Sequence, residues 1–166
     1  MIQIKQGDIT RENVAVIVNA ANTQLKGGGG VDGAIHKAAG PSVMEECRSI
    51  GRCPTGKAVI TNAGDLFSEM IIHTVGPVWK GGRNNECELL KDAYENSFLL
   101  ALDYDLTSIA FPSISTGAYG FPKETAARIA LRTGLKYYSV FERIVYVCFS
   151  KEDYDLYLKV YNELTS

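Results

Sequence analysis

One run of residues limits the possible folds of this chain more than any other. Val14–Val18 is a continuous apolar segment in which most residues are β-branched. Such a run is typical of a strand buried on both faces, since a strand with one solvated face alternates apolar and polar residues. A sheet that is covered on both faces requires helices on each side. The run therefore predicts an α/β layered fold.

Segments with strand and helix periodicity alternate along the rest of the chain. We predict strands over Ile2–Gln6, Val14–Val18, Lys57–Asn62, Met70–Val75, Ser108–Ile114 and Arg143–Phe149. We predict helices over Val31–Ala39, from Ser42 to about Ile50, and over Asn85–Asp103, Lys123–Tyr138 and Glu152–Leu164. Ser42 and Glu45 have the capping-box spacing, which predicts that Ser42 caps the second helix. Because no internal repeat or linker-like segment interrupts this order, we expect residues 1–166 to form one domain.

Composition and charge exclude several classes of protein. Hydrophobic residues make up 46% of the chain and charged residues 22%, which is usual for a globular protein. The formal net charge is −2, and the absence of a basic stripe argues against binding to nucleic acid. The sequence has neither the apolar stretch of a signal peptide nor the roughly eighteen apolar residues of a membrane helix. We therefore expect a cytoplasmic protein that does not bind membranes.

The cysteines and histidines do not show the spacing of a metal site. The four cysteines and two histidines form no C-x-x-C or H-x-x-x-H pair. A structural zinc site usually has such a pair. The sequence therefore predicts free thiols and no metal ion.

The polar and glycine-rich segments follow strands, at the edge of an open sheet where ligands bind. The first contains four consecutive glycines, Gly27–Gly30, directly before a helix. Backbone N–H groups at such a helix start can hold a phosphate, whereas the alternative is an unconstrained surface loop. The second segment, Phe111–Pro122, has small hydroxylated residues and glycines directly after a strand, and is a second candidate phosphate cradle. Its Tyr119 is either a ligand-covering aromatic or a packing residue.

Three polar side chains near the first glycine segment are candidates for chemistry. Asp32 stands at the start of the helix, where it either caps the helix or orients a water beside the ligand. His36 follows four residues later on the same helical face, and a structural role is the alternative to a chemical one. Asn22 has the donors and the acceptor that suit a sugar hydroxyl, and a turn residue is the alternative.

These segments, taken together and in order, resemble the MacroD-type branch of the macrodomain family across essentially the whole chain. The matching segments are Gly7–Thr10, Asn19–Asn22, Gly27–His36, Ala38–Gly40, Ile72–Pro77 and Ser113–Pro122. The resemblance implies a three-layer α/β/α sandwich around a central mixed sheet, with an ADP-ribose cleft at the carboxyl ends of the strands. Residues 64–67 depart from the pattern of the branch, which commonly has Leu-Pro there.

The resemblance also implies a role for individual residues of the cleft. Asp8 would accept the adenine amino group beside the Ile9 backbone, and Phe149, a looser match, would lie against the adenine. Asn22 would bind the distal ribose, while the two glycine-containing segments would hold the diphosphate and ribose from two sides. The full set of implied ligand-binding residues is Asp8, Ile9, Asn22, Gly30, Val31, Asp32, Ser115, Thr116, Gly117, Ala118, Tyr119 and Phe149.

The activity that the resemblance implies is a hydrolysis in which Asp32 and Asn22 are catalytic. The expected substrates are mono-ADP-ribose esters on Asp or Glu side chains of proteins and O-acetyl-ADP-ribose. No cofactor is implied, and the pattern of the zinc-dependent macrodomains does not fit this chain. We expect a monomer whose partners are ADP-ribose, ADP-ribosylated proteins and O-acetyl-ADP-ribose. Two alternatives stay open: a module that binds ADP-ribose without turnover, and an ADP-ribose 1″-phosphate phosphatase.

Overall fold

The computed structural model describes all 166 residues, and its strands form one six-stranded sheet. The strands are β1 (Ile2–Gln6), β2 (Val16–Ala20), β3 (Ala58–Asn62), β4 (Met70–Thr74), β5 (Ser108–Phe111) and β6 (Arg143–Cys148). The helices are α1 (Gly30–Ala39), α2 (Pro41–Ile50), α3 (Glu86–Asp103), α4 (Lys123–Tyr137) and α5 (Lys151–Thr165). A short 3-10 turn over Ile9–Arg11 follows β1 and was not predicted.

The sheet is mixed, and its strand order is β1-β6-β5-β2-β4-β3. Five strands run parallel, and β3 alone is antiparallel to its neighbour β4. The carboxyl ends of β1, β6, β5, β2 and β4 therefore lie along one edge. The loops that follow these strands meet at that edge, which is where an open α/β sheet binds its ligands.

The two faces of the sheet carry separate hydrophobic cores. Alternate residues of β2 point in opposite directions, so Ile17 packs with α1 and α2 whereas Val16 and Val18 pack with α3, α4 and α5. Residues 16–19 are fully buried, as the continuous apolar run predicted. The predicted three-layer α/β/α sandwich with a central mixed sheet is thus confirmed. None of the five helices combines the length and the apolar composition of a membrane-spanning segment.

Three predicted strand boundaries are wrong, and local hydrogen bonding explains each difference. The strand β2 ends at Ala20 instead of Val18, because Asn19 and Ala20 still pair with His73 and Thr74 of β4. The strand β2 begins at Val16 instead of Val14, because the N–H of Ala15 donates to the Ser108 hydroxyl at 2.7 Å before the pairing starts. The strand β5 ends at Phe111 instead of Ile114, because Pro112 has no N–H to donate to a neighbouring strand. The other predicted boundaries differ from the structure by no more than one residue.

The predicted Ser42 cap of the second helix is wrong. Helix α2 begins at Pro41, with Gly40 at the capping position and no side-chain hydrogen bond to the helix start. Proline suits the first position of a helix, because its missing N–H would have no partner there. The Ser42 hydroxyl instead donates to Asn62 Oδ1 at 3.1 Å and fastens α2 to the end of β3.

Candidate functional site

A cleft of about 830 Å³ lies at the carboxyl edge of the parallel strands. Its floor is formed by the residues that directly follow β1, β2, β5 and β6, and one wall is the start of α1. Its volume is within the range of small-molecule sites, which are concave and mostly formed before the ligand arrives. The cleft is therefore large enough for a ligand of nucleotide size.

The structure brings all of the predicted binding residues together in this cleft. The lining includes Asp8, Ile9, Asn22, Gly30, Val31, Asp32, Ser115, Thr116, Gly117, Ala118, Tyr119 and Phe149. They come from four loops that are distant in sequence. What unites them is the parallel sheet, since each loop follows the carboxyl end of a strand.

The first glycine segment forms the amino-terminal end of helix α1. Gly29 is the capping residue, and no side chain satisfies the first N–H groups of the helix. Those N–H groups and the positive end of the helix dipole therefore remain available to an anion. The segment also packs too tightly for a larger residue at Gly33, where a Cβ atom would lie 2.4 Å from the carbonyl oxygen of Gly28.

The second segment holds a strained residue opposite α1. Ser115 is 7% exposed and has φ +68°, a left-handed conformation that is unfavourable for a residue with a side chain. Its hydroxyl is buried without a hydrogen-bond partner. Gly76 leaves room for it, since a Cβ atom there would lie 2.1 Å from Ser115 Oγ. Strain and an unpaired buried hydroxyl in one residue are typical of a ligand-binding loop.

Asp32 is the third residue of α1, not its cap, so the helix-cap alternative for Asp32 is wrong. Its side chain is buried, and Oδ1 accepts a hydrogen bond from Asn19 Nδ2 at 2.8 Å. His36 Nε2 lies 3.3 Å from the same oxygen. The second oxygen, Oδ2, makes no hydrogen bond within the protein and lies on the Gly28 side of the cleft. One oxygen of a buried carboxylate is thus held by the protein, and the other is open to a ligand.

Asn22 lines the cleft and also braces its loop. Its Nδ2 donates to the Gly27 carbonyl at 2.9 Å, and its Oδ1 accepts from the Lys26 N–H at 3.1 Å. The amide keeps one N–H and one oxygen lone pair for a ligand. The two interpretations of Asn22, as a turn residue and as a ligand contact, are therefore compatible.

Asp8 and Phe149 line the cleft after the two neighbouring strands β1 and β6, whereas Asn22 follows β2, on the other side of β5 in the sheet. Asp8 Oδ1 accepts from the hydroxyl and the N–H of Thr10, at 2.7 and 3.0 Å. The Thr10 hydroxyl bond in particular lowers the pKa of Asp8, which keeps the carboxylate ionised. Phe149 is 90% exposed, and an aromatic ring that is left bare beside a cleft is well placed to stack on a planar ligand.

Sequence reasoning missed an ion pair at the rim of the cleft. Lys123 is the one cationic side chain of the lining, and its Nζ lies 3.1 Å from Asp153 Oδ1. Both residues stand in the first turn of their helices, α4 and α5. A surface pair between two helix starts has no sequence signal, because nothing in the spacing of residues 123 and 153 shows that α4 and α5 are adjacent.

Sequence spacing also failed to show that His36, Cys47 and His73 lie together below the cleft. One donor atom from each residue falls within 4.8 Å of the others. Burial raises the pKa of the Cys47 thiol to about 11, so the sulfur is protonated at neutral pH. His73 Nε2 is paired with the Thr61 hydroxyl at 2.9 Å. Cys47 Sγ also lies 3.9 Å from His73 Nε2, so packing and hydrogen bonds link these side chains.

Comparison with known proteins gives a consistent picture. The family model described as Macro domain matches residues 18–130. A macro domain-containing protein of Caldanaerobacter subterraneus subsp. tengcongensis is 55% identical, over 98% of this chain and 97% of that protein. The O-acetyl-ADP-ribose deacetylase of Escherichia coli K12 is 52% identical, over 94% of this chain and 92% of that protein. A structure of an Oceanobacillus iheyensis macrodomain variant with ADPR superposes with a TM-score of 0.92 at 44% identity, covering 97% of this chain and 91% of that one.

Proposed function

This chain belongs to the macro domain family, and from that premise we propose that its cleft binds ADP-ribose and hydrolyses esters of the distal ribose. The substrates are O-acetyl-ADP-ribose and proteins that carry mono-ADP-ribose on Asp or Glu. One observation carries the proposal: the buried Asp32 carboxylate, with Oδ1 held and Oδ2 open to the cleft. A module that only binds its ligand does not need a carboxylate in this position.

Binding depends mainly on backbone groups and neutral side chains. The free N–H groups at the start of α1 and the loop around Ser115 face each other across the cleft, and together they would hold the diphosphate. At the adenine end, Asp8 Oδ2 accepts from the amino group and Phe149 stacks on the ring. At the other end, Asn22 has an amide N–H and oxygen that suit the distal ribose hydroxyls.

The open oxygen of Asp32 orients the water that attacks the ester. Hydrolysis of O-acetyl-ADP-ribose breaks the bond between the acyl carbon and the ribose oxygen. Water supplies the hydroxyl of the released acetic acid, and its proton goes to the ribose oxygen. A water held against Asp32 Oδ2 is positioned before the reaction begins, which lowers the entropic part of the barrier. Transfer of a proton to the carboxylate during the attack would lower it further.

The test is a comparison of three substrates with one protein. We expect released acetate from O-acetyl-ADP-ribose and released ADP-ribose from a glutamate-linked mono-ADP-ribosylated peptide, both with EDTA present. ADP-ribose binding in calorimetry without turnover of either ester would show a binding module instead. Release of inorganic phosphate from ADP-ribose 1″-phosphate alone would show a phosphatase. Turnover that EDTA abolishes and zinc restores would show that the reaction depends on a metal.

A further inference from the structure

A buried chain of hydrogen bonds runs below the cleft and ends on Asp32. Asn19 of β2 donates through Nδ2 to Asp32 Oδ1 at 2.8 Å, and the same nitrogen lies 3.1 Å from Nδ1 of His73 in β4. Asn19 and His73 are direct partners in the register of the two strands. Nε2 of His73 is in turn 2.9 Å from the hydroxyl of Thr61 in β3. Three neighbouring strands therefore contribute one side chain each to a single connected path.

The direction of every hydrogen bond in this path is fixed. The Thr61 hydroxyl donates to the Asn62 carbonyl at 2.9 Å, so its oxygen must accept from His73 Nε2–H. His73 is neutral, because burial and the nearby His36 lower its pKa to about 3. A neutral imidazole that donates through Nε2 accepts through Nδ1. Nδ1 of His73 therefore accepts a hydrogen bond from one N–H of the Asn19 amide. The other N–H of Asn19 is then directed at Asp32.

Asn19 is an unfavourable residue for this position if stability alone is considered. It is fully buried in a central strand, and its own oxygen has no hydrogen-bond partner. A buried acceptor without a partner costs free energy, whereas an apolar side chain of similar size would avoid that cost. What Asn19 adds in return is its pair of N–H groups, which join His73 to Asp32.

We propose that Asn19 and His73 are positioning residues that hold Asp32 with Oδ1 toward the strands and Oδ2 toward the cleft. The inference rests on the proposed function, because Asp32 acts there on the attacking water. His73 acts through Asn19: its Nδ1 takes one amide hydrogen and so sets the rotation of the Asn19 side chain. Neither residue lines the cleft, so both influence turnover without contact to the substrate.

The first experiment compares turnover and binding in variants of the path. Asn19→Leu and His73→Leu remove the hydrogen bonds at similar volume, and we expect kcat to fall by about 10²-fold, the scale of a misplaced catalytic group. The Kd for ADP-ribose should change by less than about threefold, since the phosphate and adenine contacts remain. His73→Asn keeps an acceptor near the position of Nδ1, and we expect it to recover most of kcat. Asn19→Ala, which adds no bulk, replaces Asn19→Leu if that variant does not fold.

A double-mutant cycle separates positioning from a general loss of stability. If Asn19 acts through Asp32, adding Asn19→Leu to Asp32→Ala should leave the residual rate unchanged. Thr133→Val is the matched control, because it also removes a buried hydroxyl, which bonds to Ile129 in the opposite helical layer, and should leave kcat unchanged. Wild-type kcat in Asn19→Leu, or a further drop in the Asp32→Ala background, would overturn the inference.

A crystal structure of Asn19→Leu keeps this test independent of the proposed function. We expect the Asp32 carboxylate to rotate away from the orientation that Asn19 imposes. An unchanged Asp32 side chain would refute the positioning role even if the protein hydrolyses both esters. Conversely, Asp32 could be rotated in Asn19→Leu while the wild-type protein hydrolyses neither ester. That result would overturn the proposed function and leave the positioning role of Asn19 intact.

Discussion

Two side chains that line the cleft, Phe149 and Asp32, differ greatly in solvent exposure. Phe149 is 90% exposed and Asp32 is 6% exposed, although both line the same cavity. An exposed ring contributes little to the folded state, since it buries almost no apolar surface. A buried carboxylate, by contrast, has fixed hydrogen bonds and one orientation. Substitution of Phe149 should therefore affect ligand binding without affecting the fold.

Phe149→Ala should weaken ADP-ribose binding by about 5- to 150-fold, the range for loss of one base–aromatic stack. The melting temperature of the free protein should stay within about a degree, because the ring is exposed. Isothermal titration calorimetry measures the change in Kd. Phe67→Ala is the matched control, since Phe67 is also an exposed aromatic, at 72%, and does not line the cleft. Equal affinities in wild type and Phe149→Ala would exclude the stacking role.

The sequence indicated which side chains belong to the candidate site, but not which side chains contact one another. Asp32 and Asn22 could be found from their place beside a glycine run. The pairing of Asp32 with Asn19 depends on which strands are neighbours, as does the pairing of Asn19 with His73. Strand order is set by packing over the whole sheet, so no local pattern predicts these contacts.

Whole elements depend on a few side chains that fasten the loops between them. The loop before α3 is held by Glu86, which is 1% exposed. Its carboxylate accepts from the N–H groups of Lys80, Gly82 and Asn84 at 2.8, 2.9 and 2.6 Å. Burial alone would raise the pKa of Glu86, but these hydrogen bonds outweigh it and lower the pKa to about 2. The preceding Trp79 donates its N–H to the Tyr119 carbonyl, so this loop also supports the cleft.

Glu86→Gln should lower the melting temperature, because the neutral amide turns two donor hydrogens toward backbone N–H groups. The lowered pKa of Glu86 also makes its stabilising effect depend on pH. A carboxylate with a lowered pKa stabilises the folded state above its unfolded pKa, and the contribution is lost as pH falls toward 2. Thermal melts between pH 2 and pH 7 should show the difference between wild type and Glu86→Gln shrinking with acid. Glu88→Gln is the control in the same helical turn, since Glu88 is exposed.

Helices and strands were largely predictable, and the exceptions have local causes. The apolar periodicity of α3, α4 and α5 gave their bounds to within one residue, because each helix buries one face. The two-residue shift of β2 was missed, and so were the end of β5 and the cap of α2. A proline causes each of the last two differences: Pro112 ends β5, and Pro41 begins α2 one residue before the predicted cap.

The first and last strands of the chain are joined in one sheet. The strand β1 pairs with β6 from Ile2↔Ile144 to Gln6↔Cys148. Neither half of the sequence contains a complete sheet, so we propose that residues 1–166 are one domain and unfold together.

The expected monomer is checked by light scattering after size-exclusion chromatography.

ADP-ribose should shift a single thermal transition to higher temperature. Binding to the folded state at one hundred times Kd adds about 2.7 kcal/mol, which corresponds to roughly 5–10 °C for a domain of this size. Differential scanning calorimetry records both the number of transitions and the shift. Two separate transitions would contradict the proposal of a single domain. No shift of the transition at millimolar ADP-ribose would contradict the proposal that ADP-ribose is the ligand.

The stability of the whole molecule should also depend on His73. Burial, with a smaller contribution from His36, lowers its pKa from 6.5 to about 3, so the unfolded chain binds this proton first as pH falls. The free energy of unfolding should therefore be fully maintained above pH 6.5 and fall below it, by up to about 1.4 kcal/mol per pH unit. Urea melts between pH 7 and 4.5 measure the slope. In His73→Asn this part of the slope should disappear, and an identical slope would show that His73 does not cause it.

If Asp32 orients the attacking water, exchange of its carboxylate for an amide should slow hydrolysis, and the kcat of Asp32→Asn measures this effect. Asparagine keeps an oxygen for the hydrogen bond from Asn19 and nearly the same volume, so fold and ADP-ribose affinity should be preserved. We expect kcat for O-acetyl-ADP-ribose to fall by about 10²- to 10⁴-fold, the usual effect of removing a positioned acid–base group. A wild-type kcat in a correctly folded Asp32→Asn protein would exclude Asp32 from the mechanism.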